Sequence, residues 1–145
     1  MIDINKEIKA AMLAKDSVRL ASLRAIKTAF MMAETEKGAG NLTAEGQLKI
    51  IQKQVKQRKD AAAIYKEQGR ADLVGDEMAQ ADILESFLPK QMSEEEIENV
   101  VKGIIADLGA SSMADMGRVM GVASKQLSGQ ADGKVIAAKV RQLLA

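Results

Sequence analysis

Two stretches of the chain place residues that could do chemistry at helical spacing. In Met116-Gly117-Arg118-Val119-Met120-Gly121, continued through Lys125 to Leu127, a helical reading at about 100° per residue puts Met116, Val119, Met120, Ala123 and Leu127 on one face. Gly117, Gly121, Arg118 and Lys125 gather on the other. Glycine inside a helix costs roughly 1 kcal/mol against alanine, so two of them four apart point to close approach by another backbone. That backbone is either a second helix of the same protein or a phosphodiester chain held by Arg118 and Lys125. Lys134, Lys139 and Arg141 follow, so that from Arg118 to the C-terminus five bases stand against one acid. In the second stretch Lys49, Lys53 and Lys56 recur at i, i+4 and i+7, within a segment from Lys49 to Arg70 that carries seven bases and two acids. A ridge of lysines is either a solvated helix face or a phosphate-binding one.

Other chemistry is excluded by what the 145 residues lack. There is no cysteine and no histidine, which removes disulfides, thiol nucleophiles, the commonest general base and the commonest metal ligand. Glu94, Glu95, Glu96 and Glu98 crowd a helix start, where the macrodipole accounts for them without catalysis. No strand precedes Gly117 and no Gly-Lys-Ser/Thr follows it, so it is not a phosphate-binding loop. With one Tyr, two Phe and no Trp, the chain has no platform on which to stack bases. No catalytic residue, metal site or cofactor is expected. Arg58 lies on the apolar side of its helix and Glu77 on the inner side of the next; a cation so placed needs a partner, and a structural Arg58–Glu77 ion pair between the two helices is expected.

The elements that must position these groups are all helical. Apolar residues recur at helical spacing nearly throughout, 47% of residues are hydrophobic and Pro89 is the only proline. Asp3 caps a first helix with Ile4, Ile8, Ala11 and Met12 inward. Asp16 or Ser17 caps a second with Val18, Leu23, Ile26, Phe30 and Ala33 inward, ended by Gly38-Ala39-Gly40-Asn41. Thr43 opens a third with Leu48, Ile51, Val55, Ala62 and Tyr65 on one face, stopped by Gly69. A fourth runs from about Asp72 to Pro89, which cannot continue it. Ser93 and Glu96 form a capping box for a fifth helix ending at Gly109. Ser111 or Ser112 starts the glycine-bearing helix, and Asp132-Gly133 the last. The expected fold is all-α, with a boundary at Lys90 to Met92 separating an N-terminal helical bundle over residues 1–90 from a small three-helix domain over residues 91–145.

The residues also carry a family resemblance. The Met116 to Gly121 segment, Gln57-Arg58, Gly69-Arg70-Ala71-Asp72-Leu73, Glu77, Ile83-Leu84 and Phe87-Leu88-Pro89-Lys90-Gln91 resemble, in order and over essentially the whole chain, the GatB/YqeY family. That family joins the YqeY proteins to the tail domain of the B subunit of the tRNA-dependent Asp/Glu amidotransferase. Gln80 and Ala81 depart from its usual Glu and Leu, so no role is carried onto the acids of that helix. The resemblance implies a C-terminal domain of ubiquitin-associated-like shape and a non-catalytic accessory protein that binds tRNA or another structured RNA. Arg118, Lys125, Lys134, Lys139 and Arg141, with Lys49, Lys53 and Lys56, would supply the backbone contacts. The alternative is an adaptor for an amidotransferase or aminoacyl-tRNA synthetase, docking through the Gly117 and Gly121 face. A label of glutamine-dependent carbon-nitrogen ligase goes with the family, but no constellation for it can be drawn from these residues. The absence of cysteine and of an apolar leader suggests a cytoplasmic protein with no membrane partner. Purified protein is expected to leave glutamine and ATP unchanged, with or without tRNA; turnover above a heat-killed control would contradict the non-enzyme reading.

Overall fold

A computed structural model describes residues 1–36 and 40–145; among the described residues the chain is all-α, with seven α-helices, a 3-10 turn at Met113–Asp115 and no strand. It divides into two compact units, Met1–Leu88 and Pro89–Ala145.

The first unit contains α1 (Ile4–Leu13), α2 (Ser17–Thr35), α3 (Ala44–Glu67) and α4 (Ala71–Glu85). Three of its four helices start where short polar side chains can accept an orphan amide: Asp3 from Lys6 N, Asp16 from Arg19 N and Thr43 from Gly46 N. Ala11, Leu23, Ile26, Phe30, Ile51, Val55 and Leu84 form the core. α3 and α4 make a tight antiparallel pair whose turn is closed by Arg70 N donating to Tyr65 O (2.9 Å) and Gly69 N to Lys66 O (3.2 Å). Gly69 there takes φ 70°, the left-handed geometry this terminus requires. α1 ends in the same motif, with Asp16 N on Ala11 O and Lys15 N on Met12 O, both 3.1 Å. Its left-handed position is occupied by Lys15 at φ 55°. Gln47, buried, accepts the Ile2 amide at 3.0 Å and so fastens the chain start to α3. Arg19 bonds Glu7 of α1 at 3.3 Å and stacks 5.2 Å from the centre of the Phe87 ring.

Two residues expected to face inward are exposed instead. Met12 and Val18 are 54% and 45% exposed. They flank the α1–α2 turn, where both helices run past the end of the core and the helical phase no longer faces anything. The break expected at Gly38-Ala39-Gly40-Asn41 falls partly on residues 37–39, outside the described residues; Gly40 has φ 68°.

The second unit holds α5 (Glu94–Leu108), α6 (Met116–Gln126) and α7 (Gly133–Leu144). Ile97, Val101 and Ile104 of α5, Val119 and Ala123 of α6, and Ile136, Val140 and Leu144 of α7 meet in one core, with Leu127 and Ala131 from the α6–α7 turn. Each Ile, Leu or Val among them contributes about 1.5–3 kcal/mol on burial. α5 starts with a reciprocal capping box, Glu96 N on Ser93 Oγ (3.1 Å) and Ser93 N on Glu96 Oε1 (3.3 Å), and ends at Gly109 with φ 64°. The residues before it are tied back by Met92 N to Gln130 O (2.9 Å) and Gln91 Nε2 to Gly129 O (2.7 Å). Neither Ser111 nor Ser112 caps α6 through its side chain. A 3-10 turn, Met113–Asp115, intervenes, and the Asp115 carboxylate accepts the Ser111 amide at 3.0 Å instead. Ser93→Ala removes one half of the box, and a thermal melt should show the second unit losing about 1 kcal/mol.

Candidate nucleic-acid interface

α6 is a short helix with one apolar stripe, and burying that stripe decides what it shows to solvent. Val119, Ala123 and Leu127 are essentially fully buried. Gly117, Arg118, Gly121 and Lys125, on the opposite side, are all exposed. A Cβ built at Gly117 or Gly121 meets nothing within 4 Å. No helix of this unit therefore rests on the two glycines: the core of α5 and α7 takes the other side of α6.

Arg118 is engaged within the unit through one nitrogen of its guanidinium. Its Nη2 donates to Asp115 Oδ1 at 3.1 Å and to the Leu108 carbonyl at 3.4 Å, joining the last turn of α5 to the first of α6. Asp115 also receives the Ser111 amide, and these donors, the backbone amide foremost, hold its carboxyl below the usual carboxylate range. A carboxyl with a depressed pKa in the folded state adds stability above its unfolded pKa and loses it only as pH falls through the folded value. The α5–α6 corner should thus persist on mild acidification. Periodicity alone gave no hint of this role for Asp115, although its i, i+3 spacing to Arg118 is a signal that could have.

The other bases expected to contact RNA from this unit divide in two. Lys139 has a side chain only 17% exposed, 3.9 Å from Glu94. Lys125, Lys134 and Arg141 are exposed and enter no ion pair among the described residues. On α7, Lys134 and Arg141 stand seven residues apart on one ridge with exposed Ala138 between them, away from Ile136, Val140 and Leu144. The α6–α7 turn puts Lys125, in the last turn of α6, at the same end as Lys134, in the first turn of α7.

In the first unit, the α3 ridge is partly neutralised. Lys49 pairs with Glu45 at 3.3 Å, Lys56 is exposed but engaged, and Lys53 is exposed without an ion pair among the described residues. Lys59, further round, pairs with Glu85 of α4. Arg58 Nη1 lies 3.3 Å from Glu77 Oε2, with the two side chains 31% and 15% exposed. That pair joins α3 to α4. Among the described residues no group of three or more acids is placed to hold a metal ion.

A family model described as Yqey-like protein matches residues 2–144. The chain belongs to the YqeY-like family. Relatives of the family named "Altered inheritance of mitochondria protein 41, mitochondrial" include one from Pyrenophora tritici-repentis, 28% identical over 145 residues that cover 97% of this chain and 78% of the relative. The protein of that name from Kluyveromyces lactis is 28% identical over 141 residues, 95% of this chain and 72% of its own. These names overturn the expectation of a cytoplasmic protein. A sequence without cysteine says only that no disulfide is needed, and it does not select among compartments.

Glu77→Ala should leave the Arg58 guanidinium half-buried and unpaired and lower stability by about 1–2 kcal/mol, more than an exposed pair is worth. A melting curve unchanged by the substitution would show that the pair is not a fastening of α3 to α4.

Proposed function

We propose that the protein is a non-catalytic accessory factor that binds a folded RNA such as tRNA, through the sugar-phosphate backbone, on the outer face of α6 and α7. The observation that carries this reading is the coincidence of three unpaired exposed bases, Lys125, Lys134 and Arg141, with a helix face that two glycines leave bare. Cations already paired within the protein release fewer counterions on binding RNA, so the unpaired ones dominate affinity. A face without side chains lets a bulky backbone come close. Lys53, with Lys49 and Lys56, offers a further contact from the first unit. The lack of stacking aromatics favours recognition by shape over sequence. In the same reading, α1–α4 form a helical bundle and α5–α7 a three-helix domain of ubiquitin-associated-like shape, similar to the amidotransferase tail.

A second reading has its own observation. Val122 and Met113 are 40% and 45% exposed beside the glycine face, which favours docking of an apolar helix from an amidotransferase or aminoacyl-tRNA synthetase.

The test is binding of transfer RNA across a salt series by fluorescence anisotropy. For about three neutralised phosphates, log affinity should fall against log salt with a slope near −3. Replacing Lys125, Lys134 and Arg141 together by Glu should abolish binding with helicity intact, since none contacts the core. A flat salt response, or a triple variant that binds as the parent does, would contradict the RNA reading. Gly121→Leu blocking capture of a synthetase or amidotransferase would then support the adaptor.

A further inference from the structure

The α1–α2 corner carries a surface that the RNA reading leaves unused. Residues 12–18 are seven consecutive exposed residues, so the corner protrudes. Three of them are apolar and large: Met12 at 54%, Leu13 at 76% and Val18 at 45% exposure. Leu13 stands on the outer ridge of α1 in line with Lys6 and Lys9, at i, i+3 and i+7, opposite the inward Ile4, Ile8 and Ala11. Lys6, Lys9 and Lys15 enter no ion pair among the described residues. The carboxylates around them are engaged: Asp3 caps α1, Asp16 caps α2, and Glu7 is held by Arg19 at 3.3 Å. At the apex, Lys15 is the only non-glycine residue with positive φ among the described residues, in the position where the equivalent ends of α3 and α5 have Gly69 and Gly109. A lysine in left-handed geometry is less stable than glycine there, and strain retained at one exposed position points to a use for its side chain.

We propose that this corner is a contact for an anionic membrane surface. Met12, Leu13 and Val18 enter the boundary between headgroups and acyl chains, and Lys6, Lys9 and Lys15 meet the lipid phosphates and carboxylates. A protruding apolar tip ringed by bases fits a phase that deforms around it, and needs no complementary groove. Among the described residues no helix is long and apolar enough to cross a membrane; the contact is with the surface alone. The feature was hidden in the sequence because Met12 and Val18 have the helical phase of core residues.

Flotation of the full chain with phosphatidylcholine vesicles, with and without phosphatidylserine, tests the proposal. The parent should float with the anionic vesicles at low salt and not with the neutral ones. Leu13→Ser should lower partitioning by about 10-fold or more, and Lys9→Glu with Lys15→Glu by about 10-fold or more. Lys15→Gly should raise the melting temperature while weakening flotation, two opposite movements that unfolding cannot produce. Failure of the parent to float with anionic vesicles would overturn the proposal, as would variants that float like the parent. Binding of a soluble polyglutamate peptide without flotation would equally overturn it, and would assign the corner to an acidic protein partner.

Discussion

Burial of one aliphatic stripe per helix is the constraint from which the rest of the structure follows. With one tyrosine, two phenylalanines and no cysteine, the fold rests mainly on aliphatic side chains, and each helix turns its apolar line inward. In α6 that line is Val119, Ala123 and Leu127. Once it is buried, Gly117, Gly121 and Lys125 have only one direction in which to point. The bare face of α6 is thus a consequence of core packing.

The same constraint explains where the chain's charge is available. Between helices that pack closely, side chains of opposite sign are brought together: Arg58 with Glu77, Lys59 with Glu85, Arg19 with Glu7. Surface pairs of this kind add little stability, and half-buried ones somewhat more. Their larger effect is to cancel charge that would otherwise attract a polyanion. Lys125, Lys134 and Arg141 escape cancellation because their ridges face away from every neighbouring helix of the unit.

What could be read in the sequence was local. Asp3, Asp16, Thr43, Asp132 and the Ser93–Glu96 box each close a hydrogen bond within three residues, so their chemistry is written in short spacing. Gly69 and Gly109 are legible for the same reason, since a left-handed residue ends a helix wherever it occurs. The features that escaped depend on what lies opposite. Arg118 shares its charge with Asp115 and the Leu108 carbonyl, a partner ten residues away that spacing does not reveal. Gly117 and Gly121 suggest a packed helix by residue type, yet α6 turns its other side to the core. Met12 and Val18 follow the apolar period of α1 and α2 beyond the point where a core exists to receive them.

The central claim is that the outer side of α6 and α7 receives a partner and the inner side serves only the fold. Backbone amide chemical shifts recorded by NMR while a folded transfer RNA is titrated into the labelled protein address it residue by residue. The account predicts movement at Gly117, Gly121, Lys125, Lys134 and Arg141, with Val101, Val119 and Val140 unmoved. Saturable movement confined to other surfaces, or none at RNA concentrations that saturate binding, would contradict it.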